Sequence, residues 1–417
     1  MKYIKINNLW KGFLALLVLA GSYTAGNMSL AVSRNLYSSN AGTGTSCTIS
    51  VPCSFSTAIG QAQAGDIINV VGVMSPITIS KSGTASSPIT IRGGIFDGIN
   101  SSANEVIMVS GSYITIENVE IKNGWNFGIR VTGDRVTIKD SSIHDNVRKY
   151  WNGSACTGAG SWGSGVRFGP ESEYATLENS TVYNNCGEGI GTVGSAYTLI
   201  KNNIAYDSYS MVIYIDEGRN VRVEGNTVYC SNPAYYKSGI VSRGISYGDE
   251  GNAAVGYTQA DIINNTVNGC RGVAFYNKYG TGKVINSSIT GNVFDPQFAA
   301  VSIPSGSLSN VIVSNNVGNG FSAPGATLSA NYTATPLGIT PTPSFTPTVT
   351  FTPTITQTAT ITPIPSGSET STMTPSPSAT VTATPTKTTT PSPTITPTPR
   401  CYIYYPEAGV QVTVCFY

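Results

Sequence analysis

Three carboxylates, Glu188, Asp207 and Asp216, lie in one stretch of the chain among Tyr183, Tyr206, Tyr209 and Tyr214. Two carboxyl groups, one giving a proton and one taking a proton or attacking, suffice to hydrolyse a glycosidic bond. Arg130, Arg167 and Arg243 and the only histidine, His144, flank that stretch. A base of this kind beside a cation that neutralises a uronate suffices for elimination instead. Arg167, Arg243, His144 and Tyr206 fit those roles, and nothing in the residue types selects between the two chemistries. Histidine is the natural titrating group near neutral pH, yet it is also an ordinary turn residue. For each charge the plain alternative is a surface ion pair of little consequence. No CxxC pair or histidine cluster suggests zinc, and no clustered aspartates suggest calcium. No metal and no cofactor are expected.

Placing these side chains requires the elements that carry them. Segments such as ITIENVEIKNGWNFGIRVTGDR from Ile114, ATLENSTVYNNCGEGIGTVGSAY from Ala175 and TLIKNNIAYDSYSMVIYIDEGRN from Thr198 repeat with a period of about 23 residues. Short alternating apolar runs are separated by Gly, Asn, Asp and Ser, which is strand patterning with turn punctuation. A single unit cannot bury its apolar face, but stacked copies share a core. Three short strands per unit and no helical stretch predict an all-β fold, a parallel β-helix.

Counting from Ala175 or Thr198 as position 1, the third position is apolar in Ile116, Ile138, Leu177, Ile200 and Val223. These residues should form one interior column. Asn118, Asp140, Asn179, Asn202, Asn203, Asn226 and Asn265 occupy the next turn and predict an asparagine ladder rather than a binding site. Positions 9, 10, 14, 15, 17 and 19 should be more exposed. Position 9 stacks His144, Tyr183, Tyr206 and Tyr229. Glu188 and Arg243 share position 14, two rungs apart, with Met211 between them and Asp207 on the intervening rung. Arg130 and Arg167 share position 17, and Asp216 lies at position 19.

Two rungs are about 16 residues too long. The excess falls in residues 147–164 and, split, in residues 231–242 and 248–257. The first two segments fall at the same turn, with two normal rungs between them. The spacing predicts a groove about 14 Å wide, floored by the rungs from Ala175 and Thr198. Tyr150, Trp151 and Trp162 would line one wall, and Tyr235, Tyr236 and Lys237 the other. The floor would offer Tyr183, Glu188, Tyr206, Asp207, Tyr214 and Asp216. Aromatic faces interleaved with carboxylates and amides suit sugars, whose C–H faces stack while hydroxyls take hydrogen bonds.

The N-terminus carries Lys2, Lys5 and Lys11 before an apolar run over 13–20. This is secretory-leader patterning, assigned to 1–31, and the run is too short to be a good membrane span. Only an uncleaved leader would tie the chain to a membrane. Net charge is +1 and 11% of residues are charged, which excludes a basic nucleic-acid surface. An even count of eight cysteines in an exported chain predicts disulfides, paired here as Cys47–Cys53, Cys156–Cys186, Cys230–Cys270 and Cys401–Cys415. The repeat domain spans 32–332. A Thr/Pro/Ser tract over 333–399 cannot bury enough apolar surface to fold and reads as a disordered spacer. Residues 400–417 alternate around Pro406-Glu407-Ala408-Gly409 and read as a disulfide-closed hairpin. A monomer is expected.

The segment FSTAIGQAQAGDIINVVGVMSPITISKSGTASSPITIRGG, residues 55–94, resembles the start of secreted right-handed parallel β-helix proteins of the pectate-lyase-like superfamily. The resemblance implies a capping helix over 56–64, then an Ala64-Gly65-Asp66 turn opening the first strand. It implies right-handed winding over most of residues 50–317. For activity it implies little, because that superfamily holds lyases, hydrolases, esterases, epimerases and adhesins. The leading expectation is a secreted or cell-surface protein that binds and cleaves a polysaccharide, as lyase or hydrolase. The alternative is a non-catalytic adhesion protein that binds glycans or partners through the same groove.

Overall fold

The computed structural model describes residues 33–158, 162–333, 335–336, 400–407 and 410–416, the last three segments as backbone. The expected leader and nearly all of the expected spacer lie outside the described residues. Three columns of short parallel strands wind into a β-helix, the second and third columns joining at Val317–Ser322. The first sheet includes Ile114–Glu117, Thr137–Lys139, Thr176–Glu178, Leu199–Lys201 and Val221–Glu224. The second includes Ser142–His144, Thr181–Asn185, Ile204–Ser208 and Thr227–Tyr229. Phe127–Val131, Ser164–Phe168, Glu188–Val193, Met211–Asp216, Arg243–Asp249 and Val273–Asn277 belong to the third.

Period-2 alternation explains the packing. Ile116, Ile138, Leu177, Ile200 and Val223 pair rung to rung and are fully buried, as the repeat predicts. Ile129, Val166, Ile190, Ile213 and Ile245 do the same in the third sheet. Each β-branched side chain rests on its equivalent one rung away, so the core is continuous along the axis.

The turn after the first sheet uses two kinds of residue. Asn118, Asp140, Asn179, Asn202 and Asn264 take left-handed backbone, with φ between 50° and 55°, which Asn and Asp adopt most cheaply after Gly. One residue further on, Asn203, Asn226, Asn265, Asn292, Asn316 and Asn331 form a buried ladder. From Asn203 to Asn316 each Nδ2 donates to the next Oδ1 at 2.9–3.0 Å, and all six also donate to a backbone carbonyl. Outside the first sheet runs a column of alternating charge, Arg92, Glu117, Lys139, Glu178, Lys201 and Glu224. Glu117 bonds both Arg92 at 2.6 Å and Lys139 at 3.0 Å.

The capping helix is Phe55–Gln61, with Ser54 as N-cap. Here the expectation needs adjusting. A strand, Asn35–Ser38, precedes the helix and pairs with Ile67–Val70, so the Ala64-Gly65-Asp66 turn opens the second strand of the column. Three disulfides form as expected, Cys47–Cys53, Cys156–Cys186 and Cys230–Cys270. The strands Arg400–Glu407 and Val410–Phe416 make the expected hairpin and set Cys401 opposite Cys415. Bonding of that pair lies outside the described side chains. The hairpin does not stand alone, because Thr335–Pro336 pairs antiparallel with Arg400–Glu407.

Candidate functional site

The described residues of 147–163 and those of 231–242 do leave the solenoid at the same corner, between the second and third sheets. They do not stand apart as walls. Trp151 stacks on Tyr235 at 5.6 Å, Lys237 lies over the Trp162 ring at 4.6 Å, and the Cys156 amide donates to the Ala234 carbonyl at 2.8 Å. Beneath them Val147, Cys156, Cys186, Tyr209 and Tyr235 make a second small core, against which Tyr150 and Trp162 pack. The expected open groove at this corner is therefore filled. Opposed Trp and Tyr rings span a backbone gap of three rungs and bury apolar area by meeting. Tyr150 is half-buried in this contact, whereas Tyr236 packs against the main core and donates its hydroxyl to the Cys230 carbonyl at 3.3 Å.

The expected floor is split between two faces by that corner. His144, Tyr183, Tyr206 and Tyr229 lie on the second sheet and stack at 4.6, 4.9 and 4.4 Å. The two inner rings, Tyr183 and Tyr206, each have both faces covered by neighbours, so these tyrosines present edges rather than sugar platforms. Both His144 ring nitrogens face carboxylates, Nδ1 at 2.8 Å from Asp145 and Nε2 at 3.3 Å from Glu120. His144 is thereby separated from Glu188, which lies on the third sheet.

Asp207 and Asp216, expected to be exposed, are buried. Asp207 accepts from the Ser231 and Asn232 amides and the Ser231 hydroxyl at 2.7–2.9 Å, anchoring the segment that starts at 231. Asp216 accepts from the Glu250 amide at 3.1 Å and the Asn252 side chain at 2.6 Å. Beside it Glu217 accepts from the Ala253, Val255 and Gly256 amides at 2.6–3.1 Å. Residues 250–256 are thus strapped over the far edge of the third sheet by two adjacent acids. Burial pushes the Asp216 carboxyl up to about 7, with the two hydrogen bonds opposing it and the charges of Glu250 and Glu188 adding to it.

Between the filled corner and this strap lies the outer face of the third sheet. Glu188 sits there, 6% exposed. It accepts from Arg167 Nη2 at 2.7 Å and from Ser164 Oγ at 2.9 Å, and Arg167 also donates to Ser164. Burial raises the Glu188 carboxyl above the usual range, outweighing Arg167 and Ser164, with Glu250 adding to the rise. Gly191 lies against this group. A side chain there would run into Glu188 Oε2 at 2.7 Å and Arg167 Nε at 3.0 Å. Tyr214 follows Gly191 in the same column, is covered by the strap, and donates to Glu250 Oε1 at 2.8 Å. Arg130 stacks below Arg167 as expected and pairs loosely with Glu105 at 3.4 Å.

Arg243 occupies the column of Met211, and Arg271 bridges to it from the next rung. Burial lowers both guanidinium pKa values, and for Arg243 the Arg271 charge lowers it further. Sequence reading missed Ser164, Ser246, Glu250 and Arg271. Arg271 escaped because its rung reaches the third sheet after a shorter turn, which hides its alignment with Arg243. Glu250 escaped because it lies within an insertion and has no rung position. Among the described residues no group of three His, Cys, Asp or Glu could hold a metal ion. The hollow under the capping helix, about 790 Å³, has Lys81 as its one charged lining residue, and that amine donates to the Gly60 carbonyl.

The profile of the right handed beta helix region matches residues 77–232 and 148–317, more than half of the chain. The chain belongs to that family. Solved β-helix structures resemble it at low identity. A pectate lyase, Pel9A, aligns with a TM-score of 0.54 and 17% identity over 72% of this chain and 79% of its own. An alginate lyase from Paenibacillus sp. str. FPU-7 aligns with a TM-score of 0.41 and 17% identity over 71% and 97%. A GH136 lacto-N-biosidase from Eubacterium ramulus gives 0.45 and 14% over 71% and 68%. No curated protein sequence matches. At such identities the likeness of this β-helix protein to solved structures is one of fold.

Proposed function

We propose that this β-helix protein is an exported, carbohydrate-active enzyme that hydrolyses a polysaccharide across the outer face of its third sheet. The observation that carries the reading is Glu188, a carboxyl kept toward its protonated form by burial while held in place by Arg167 and Ser164. A general acid needs such tuning. Glu188 would protonate the leaving glycosidic oxygen as the C–O bond breaks. Glu250, a half-buried acid oriented by Tyr214, would take the proton of the attacking water. Three disulfides and the leader-like N-terminus support export. Incubation with acidic and neutral polysaccharides tests the reaction. New reducing ends without absorbance near 235 nm are expected. A rise at that wavelength marks elimination and overturns the hydrolytic assignment.

One observation favours a second reading. Asp207 and Asp216 are committed to anchoring loops, so Glu188 has fewer free acid partners than the sequence suggests. A non-catalytic glycan-binding or adhesion protein needs none. Binding without products would select it.

A further inference from the structure

Two strands of the third sheet carry an arginine and a serine three positions apart, and one of these pairs lacks the acid that the other holds. In the first, Ser164 and Arg167 share a strand and converge on Glu188 of the next rung. In the second the order is reversed. Arg243 occupies the column that holds Met211, and Ser246 occupies the column of Arg167, Gly191 and Tyr214. Arg271 adds a second guanidinium one rung on and donates Nε to the Val241 carbonyl at 2.9 Å. Among the described residues, no acid contributes to the environment of either arginine. Ser246 is buried, and among the described residues its Oγ has no hydrogen-bond partner.

Each part is unfavourable alone. Two half-buried like charges repel, and a buried hydroxyl without a partner loses its hydration for nothing. A planar oxyanion relieves both. It accepts paired N–H bonds from guanidinium forks and can take the hydroxyl proton as a further donor. The first pair shows the filled form, with one Glu188 carboxyl oxygen accepting from arginine and serine together. We propose that Arg243, Arg271 and Ser246 form an oxyanion site that receives the carboxylate or sulfate ester of an acidic glycan. The proposal rests on reading the third-sheet face as a glycan site, and it narrows the substrate class to charged polymers.

The test is titration calorimetry of the full chain with alginate oligomers, carrageenan oligomers and dextran oligomers as carboxylate, sulfate and neutral probes. At least one acidic series should bind about tenfold or more tighter than dextran, and the better of the two identifies the oxyanion. Arg243→Gln and Arg271→Gln should each weaken that binding by about tenfold or more. Ser246→Ala should weaken it a few-fold without lowering the melting temperature, since its hydroxyl bonds nothing in the free protein. Where Arg243→Gln does not fold, Arg243→Lys keeps the charge but loses the fork. It should lose affinity several-fold, and wild-type affinity in that variant would count against the site. Dextran binding as tight as both acidic series, or acidic binding unchanged in both glutamine variants, overturns the proposal. If a neutral glycan is then bound and cleaved, the third-sheet cleft stands without the oxyanion site. If none of the probes binds, both fall.

Discussion

The outer faces of the second and third sheets carry similar residues in opposite states. On the second, His144 is flanked by Asp145 and Glu120, and the tyrosines stack on one another. On the third, Glu188 is held in an unfavourable burial, and among the described residues Arg243 and Arg271 lack an acid and Ser246 lacks a partner. Residue type does not separate these faces. What separates them is whether each polar group has already found a partner within the chain.

The sharpest way to break this contrast is to mutate one acid and one aromatic. Glu188→Gln should reduce turnover by about a hundredfold or more while glycan affinity stays within a few-fold, because the proton is needed only as the bond breaks. Tyr206→Phe on the second sheet should leave both unchanged, and activity loss there would reverse the assignment of faces. Steady-state kinetics with product analysis reads both. Next in size is the filled corner. Replacing Cys156 and Cys186 together with serine opens a bridge spanning 30 residues and should cost about 3 kcal/mol, read as a lower melting temperature. An unchanged melting temperature would mean that the meeting of the two insertions holds without it.

A smaller effect concerns pH. The Asp216 carboxyl is raised in the folded state to about 7, so the folded chain holds this proton more tightly than the unfolded chain does. Its contribution to stability is therefore present in acid and is lost as pH rises from about 4 through 7. Melting curves across that range should slope downward more steeply for wild type than for Asp216→Asn. Equal slopes would show that the strap's hydrogen bonds, not burial, set this group. The smallest effect is expected from Trp151→Ala. That ring is 39% exposed and faces Tyr235 rather than an open groove. Its loss should cost about 1 kcal/mol of stability and little glycan affinity.

The fold was legible because the repeat states it many times over. Ile138, Leu177, Ile200 and Val223 each report the same inward direction, and the cysteine spacings follow from the same frame. The site was legible only in part. Rung counting put Arg130 with Arg167 in one column and Met211 with Arg243 in another, and the strand register agrees. It gives backbone spacing, however, and cannot say how far Trp151 and Tyr235 reach, so an open groove was expected where two rings touch. It also treated outward as exposed. Asp207 and Asp216 point outward and are nonetheless buried, because insertions fold back and use them as acceptors for their own amides.

The alternating charges along the first sheet have a consequence for how the chain chooses its partners. The interior columns are apolar at nearly every level, Thr192 being an exception, so a strand that skipped a rung would still find an acceptable hydrophobic neighbour. The charge column does not permit this. Pairing Glu117 with Glu178, or Lys139 with Lys201, sets like charges side by side, which is unfavourable for directly adjacent strands. Exposed ion pairs add little to the depth of the folded state. Here they act as an address, distinguishing odd levels from even ones in a structure whose core cannot tell them apart.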